Sequence, residues 1–189
     1  MKIGLFFGSF NPLHTGHKVI ASYMVEFSDL DKVMFVVSPQ NPFKNKISLL
    51  DQYQRLMIIR MEIEDNPKLQ VTDIEFSMPQ PSYTIDTLVR LKEENPNNEY
   101  ALIMGADNLQ RFNKWKNYQQ ILDCYSIYVF PRPGYQINKS YKNIYVVNDV
   151  PEMAISASFI RKSIKQGRDV SYLMPEKAWQ YIDEMNLYK

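Results

Sequence analysis

Short runs of β-branched and aromatic residues alternate with helical patterns along most of this chain, and most of these runs are too apolar for a sheet with one wet face. Residues 2–7, 32–37, 69–72, 100–104 and 126–130 read as strands. Residues 16–27, 51–65, 84–94 and 118–124 read as helices, the third closed by Asn95-Pro96. Strands buried on both sides need helices over both faces, and a repeated strand–helix–strand order implies parallel pairing through right-handed crossovers. The expected fold is α/β, a Rossmann-like parallel sheet with helices on both faces. After a further strand at 144–147 the pattern changes. A helix at 159–165, stopped by Gly167, and a last one beginning at Pro175 make a C-terminal helical segment, 156–189. Loops at 38–48, 77–82 and 131–143 hold most of the prolines, and nothing reads as a linker or repeat, so residues 1–189 are expected to form a single domain.

Composition narrows the partners. At 189 residues, 45% hydrophobic and 23% charged, the chain can bury a sizeable core, which excludes disordered and fibrous classes. A net charge of +1 and a pI near 7.7 leave no broad footprint for nucleic acid, so any anion must be met by a local site. Cys124 stands alone, which rules out an internal disulfide framework, fits a reducing cytoplasm, and suggests core filler inside a helix. The apolar start is too short for a signal segment, and no stretch approaches the ~20 residues that cross a bilayer. A cytoplasmic protein without membrane partners is expected.

In such sheets ligands sit beyond the carboxyl ends of the strands, where the strand order reverses. Two segments qualify. The first is Gly8-Ser9-Phe10-Asn11-Pro12-Leu13-His14-Thr15-Gly16-His17, which holds the chain's two histidines. Gly8 lets backbone N–H groups approach a polyphosphate, and a helix beginning near Gly16 aims its partially positive end at the same place. Imidazole N–H donors at His14 and His17 suit a phosphoryl centre whose oxygens gain charge during transfer. The plainer alternative is that the pair caps or packs beside the helix. The second segment is a loop, Gly105-Ala106-Asp107-Asn108, where Gly105 allows close approach and Asp107 offers a carboxylate to ribose hydroxyls. Near the C-terminus, Ser156 or Ser158 can cap a helix whose early N–H groups and Arg161 face a polyphosphate.

The first segment resembles the H-x-G-H signature of the nucleotidylyltransferase superfamily, and Ile155-Ser156-Ala157-Ser158-Phe159-Ile160-Arg161 resembles its second signature, I-S-S-T-x-I-R. Pro81-Ser82-Tyr83-Thr84-Ile85-Asp86-Thr87-Leu88 is similar to a segment of bacterial nicotinate-nucleotide adenylyltransferases, as are Gly105-Ala106-Asp107 and Trp115-Lys116. The resemblance thus runs through four separated segments. It implies transfer of an adenylyl group from ATP to nicotinate mononucleotide, giving nicotinate adenine dinucleotide and pyrophosphate, a step of NAD synthesis. Position 11 carries Asn where Asp is commoner, position 157 Ala for Ser, and position 158 Ser for Thr. Lys44 matches a family P-H-K segment only partly, because Phe43 stands at the usual histidine.

On this resemblance His14, His17 and Arg161 are the expected catalytic residues, the histidines at the α-phosphate and Arg161 at the leaving pyrophosphate. Gly8, Ser9, Phe10, His17, Gly105, Asp107, Ser156, Ser158 and Arg161 are expected to bind ATP. Lys44, Tyr83, Thr84 and Trp115 are expected to bind nicotinate mononucleotide. Trp115 can stack on a pyridine ring, and N–H groups at the Tyr83-Thr84 helix start can hold its carboxylate. A carboxamide there loses a charge-assisted contact of about 1.5–3 kcal/mol, a ten- to hundredfold discrimination. Taken singly, Ser82 or Thr84 is an ordinary helix cap and Trp115 an ordinary core residue. Mg²⁺ is expected to bridge triphosphate oxygens, held by substrate and water, with no protein ligands. A homo-oligomer is compatible with all of this. Phosphopantetheine adenylyltransferase or a cytidylyltransferase would share the first signature but not residues 81–88 with Trp115, and a nucleotide-binding regulator would keep the fold without catalysis.

Overall fold

A computed structural model describes residues 1–39, 49–137 and 141–189; Lys44 and Phe43 lie outside the described residues. β1 (Lys2–Gly8), β2 (Lys32–Val37), β3 (Leu69–Thr72), β4 (Glu99–Gly105), β5 (Ser126–Phe130) and β6 (Ile144–Val146) form one parallel sheet in the order β3-β2-β1-β4-β5-β6. The helices are α1 (Thr15–Phe27), α2 (Gln52–Ile63), α3 (Thr84–Glu94), α4 (Ala106–Leu109), α5 (Tyr118–Cys124), α6 (Ala157–Lys165) and α7 (Glu176–Glu184).

The two-residue period of each strand divides its apolar side chains between two cores. Phe6, Val33, Phe35, Ala101 and Ile103 meet Met24 of α1, Ile58 and Ile59 of α2, Ile160 of α6 and Ile182 of α7. On the opposite face Leu5, Val36, Leu102, Met104 and Val129 meet Leu88 of α3, Ala106 of α4 and Ile121 of α5. The C-terminal helices therefore close the same face as α1 and α2. β1 and β4 are neighbours whose chains leave for opposite faces, so the strand order reverses between them and a crevice opens at their carboxyl ends.

Two local expectations change. Residues 105–108 are not a loop: α4 starts directly after β4, with Gly105 at the N-cap position and a Gln110 N–H to Ala106 O bond of 3.2 Å closing the turn. Cys124 is exposed rather than core filler, because α5 turns Ile121 and Leu122 inward and ends at Cys124. Among the described residues no helix is long and apolar enough to cross a membrane.

Candidate active site

The first loop is drawn into the core rather than laid over it. A Cβ on Gly8 would sit 2.7 Å from the Phe10 ring, so only glycine lets the chain turn back there. Phe10 has φ +42°, a region that costs a non-glycine residue about 1–3 kcal/mol. Its ring is buried against Phe6, Phe35 and His17 with centroids 5.1–5.7 Å apart, which holds the strained backbone in place. Phe10 can thus offer a nucleotide its backbone but not its ring. Buried Asn11 pins the next turn: its Oδ1 accepts the Leu50 N–H at 3.1 Å and the Tyr188 hydroxyl at 2.7 Å.

Beneath the loop lies Arg55 of α2, 1% exposed. Its guanidinium donates to the carbonyls of Ser9 (2.6 Å), Ser38 (2.9 Å), Leu50 (2.9 Å) and Pro39 (3.4 Å), tying the ends of β1 and β2 together. Burial pulls its pKa down, with Tyr188 and Asp51 opposing.

His14 occupies the N-cap position of α1, and its backbone N–H donates to His17 Nδ1 at 3.3 Å while the two rings stack at 3.7 Å. The pair does cap and pack, as the plainer reading holds. The same bond has a chemical consequence, since a neutral His17 that accepts at Nδ1 carries its proton on Nε2. His14 is 5% exposed, and its Nδ1 has no hydrogen-bond partner among the described residues. Burial first, and the charge of Arg132 second, push its pKa down to about 4, so the ring is neutral at pH 7.

Across the β1–β4 crevice, Asp107 lies in the first turn of α4, with Oδ1 buried, unbonded, and 3.9 Å from Arg132 Nε. A Cβ on Gly105 would collide with that oxygen and come within 3.2 Å of the Arg132 side chain, so the carboxylate depends on glycine at 105. A narrow cleft beside these groups is lined by His14, Gly16, Phe130, Arg132, Pro151 and Met153. Arg161, in the second turn of α6, donates to the Asn11 carbonyl at 2.7 Å and to Ser158 Oγ at 3.4 Å, which sets it against the first loop. Of the two candidate caps, Ser156 is the one used, accepting the Phe159 N–H at 3.2 Å.

The residues expected at the mononucleotide lie at and near the start of α3. Tyr83 is the N-cap residue of α3 and Thr84 its first helical residue; neither Ser82 nor Thr84 caps the helix. The Ser82 hydroxyl is committed instead to Glu75 Oε2 at 2.7 Å, the physical reason that it is unavailable to the helix end. Lys116 bridges to the turn, 2.9 Å from Asp86 Oδ2 and 4.8 Å from the Tyr83 ring centre. Its neighbour Trp115 is half-buried against Phe112 at 5.2 Å and packs on the core that includes Ile85 and Leu88 of α3.

Sequence reasoning missed Arg55, Glu75, Arg132 and Tyr188. A signal existed for Arg55 alone: it stands three and four residues before Ile58 and Ile59, on the inward stripe of α2. Among the described residues no three His, Cys, Asp or Glu side chains are grouped to hold a metal ion.

Residues 5–163 match the family model described as cytidylyltransferase-like. A Flavobacterium johnsoniae protein named "Probable nicotinate-nucleotide adenylyltransferase" is 51% identical over the full length of both chains. A Bacteroides fragilis protein of the same name is 43% identical, covering 96% of this chain and 90% of its own. The solved structure of Plasmodium falciparum nicotinic acid mononucleotide adenylyltransferase complexed with NaAD superposes with a TM-score of 0.83 at 21% identity, covering 99% of this chain and 97% of that one, and shares the fold. A parallel sheet with its loops gathered at the β1–β4 reversal, a matching family model and full-length relatives lead to one assignment: the chain belongs to the cytidylyltransferase-like family and, within it, to the nicotinate-nucleotide adenylyltransferases.

Proposed function

We propose that this chain transfers the adenylyl group of MgATP to nicotinate mononucleotide, releasing pyrophosphate and nicotinate adenine dinucleotide. The observation that carries the site assignment is the pair of buried polar atoms with no hydrogen bond among the described residues, His14 Nδ1 and Asp107 Oδ1, on the two sides of the β1–β4 crevice. Buried polar atoms nearly always find partners, so a pair left open in a ligand crevice marks positions for ligand atoms.

The reading places the triphosphate over the first loop and the start of α1, with the ribose hydroxyls at Asp107 and the adenosine toward the cleft beside Arg132. The mononucleotide phosphate is already anionic at neutral pH, so attack needs no general base. One of its oxygens bonds to the α-phosphorus as the bond from that phosphorus to the oxygen bridging the β-phosphorus breaks, and the electron pair leaves with pyrophosphate. A neutral His14 supplies hydrogen bonding rather than full charge. His17, with its proton on Nε2, is suited to donate to an α-phosphate oxygen as charge grows there. Arg161, held against the first loop, and the early N–H groups of α6 are placed for the departing pyrophosphate. Mg²⁺ enters as part of the substrate, held by triphosphate oxygens and water, and screens phosphate charge.

On the other side, Tyr83 and Thr84 present α3 N–H groups to the nicotinate carboxylate, with Trp115 as the wall for the ring. The test is incubation with MgATP and, in turn, nicotinate mononucleotide, nicotinamide mononucleotide and phosphopantetheine, resolving products and pyrophosphate release. Preferential nicotinate adenine dinucleotide is expected. A different adenylylated product overturns the pyridine site, and none overturns catalysis.

A further inference from the structure

We infer that Glu75, a carboxylate buried beneath the start of α3, is the positioning residue that sets the Tyr83–Thr84 backbone for an anionic pyridine substrate and so determines the preference for acid over amide. The inference rests on the reading just given. Glu75 lies in the 3₁₀ turn Ile74–Ser77 after β3 and is 2% exposed, with no cation bonded to it among the described residues. It accepts from the Ser82 hydroxyl at Oε2 (2.7 Å) and the Thr87 hydroxyl at Oε1 (2.8 Å).

Ser82 and Thr87 bracket Tyr83–Thr84 in sequence and are themselves buried, so one rigid carboxylate grips both ends of the segment. The N–H groups of Asp86 and Thr87 bond back to the Tyr83 carbonyl, whereas the N–H groups that begin a helix have no acceptor inside it. The tilt of the segment decides whether those early N–H groups converge on one point. A carboxylate needs that convergence more than a carboxamide does, because its bonds are charge-assisted.

Glu75→Gln keeps the volume but leaves one acceptor oxygen for hydroxyls that now use two. A shift beyond roughly 0.5 Å in such a site degrades binding. The experiment measures kcat and KM for nicotinate and nicotinamide mononucleotides and for ATP in wild type, Glu75→Gln and Thr87→Val. The last variant removes the Oε1 hydroxyl contact, together with that hydroxyl's bond to the Tyr83 carbonyl at 3.3 Å, while keeping the Glu75 carboxyl, and decides the matter if Glu75→Gln does not fold. The expected result is a rise of about tenfold in KM for nicotinate mononucleotide, an unchanged KM for ATP, and a matching fall in the acid-to-amide ratio of kcat/KM. A loss shared equally by all three substrates, or an unchanged ratio in an active variant, overturns the inference. Wild type that forms no nicotinate adenine dinucleotide overturns the functional reading instead, so the two failures are separable.

Discussion

The two halves of the proposed site, one for the triphosphate and one for the pyridine, are built in opposite ways. In the first, the functional loop is itself core: His14 is 5% exposed, Phe10 is held at positive φ by ring packing, and Asn11 is tied to Leu50 and Tyr188. In the second, Tyr83 is 37% exposed and Trp115 half-buried, and their placement comes from groups underneath and beside them, Glu75 and Lys116. A buried ionisable side chain anchors each half: Arg55 grips carbonyls under the first loop, and Glu75, its pKa raised by burial against the hydroxyls that lower it, grips hydroxyls under the second. Chemistry at phosphorus needs donors fixed before charge develops, which a core can supply. Choice of ring substituent needs a surface that admits the substrate and a support that keeps it in register.

If the halves differ in this way, changes in the first should act on kcat and changes in the second on the KM of the mononucleotide. The largest effect is expected for His17→Ala, a loss of about 100- to 1,000-fold in kcat, as for removal of one donor to a developing oxyanion. Turnover near wild type would sink its role. A smaller effect, on stability, should come from His14. Its folded pKa of about 4 lies below the unfolded value of 6.5, so the unfolded chain binds the extra proton between them. The stabilisation is complete above pH 6.5 and is lost as pH falls toward 4, about 3 kcal/mol in all. The stability of His14→Asn should depend less on pH across that window, as read from denaturant midpoints; equal slopes for the two proteins would mean that the ring is not held neutral.

Asp107→Asn should cost less again, about a tenfold rise in KM for ATP with the mononucleotide KM unchanged, because an amide oxygen accepts from ribose hydroxyls more weakly than a carboxylate. A rise confined to the mononucleotide would move Asp107 to the other half and erase the distinction.

What could be read from sequence follows the same division. Strand runs such as 32–37 and 126–130 are apolar on both faces, and that composition is enough to place them in a doubly covered sheet. The histidine loop is legible because its residue types state its chemistry. α4 is not, since four residues are too few to show a helical period. Glu75 and Arg55 are hidden for another reason: charged residues are ordinarily solvated, and only the fold shows that one meets two hydroxyls and the other four carbonyls. The bond from Tyr188 to Asn11 spans 177 positions, and no local pattern encodes it.

The smallest effect separates the halves most finely. Trp115 packs on Phe112 and on the core that includes Ile85 and Leu88, so its ring both supports α3 and, on our reading, faces the pyridine. An aromatic stack contributes about 0.5–1.5 kcal/mol beyond area, so Trp115→Ala should raise the mononucleotide KM about three- to tenfold. Loss of packing will also lower Tm, and kinetics must therefore be measured well below the variant's own transition. Trp115→Phe keeps a ring face and should recover most of the KM, whereas Trp115→Leu restores bulk without a π-face and should not. If leucine rescues as well as phenylalanine, the tryptophan acts by holding the wall rather than by stacking. If either change moves kcat or the ATP KM as far as the mononucleotide KM, the two halves are not separable and the pyridine side is as much a part of the catalytic framework as the histidine loop.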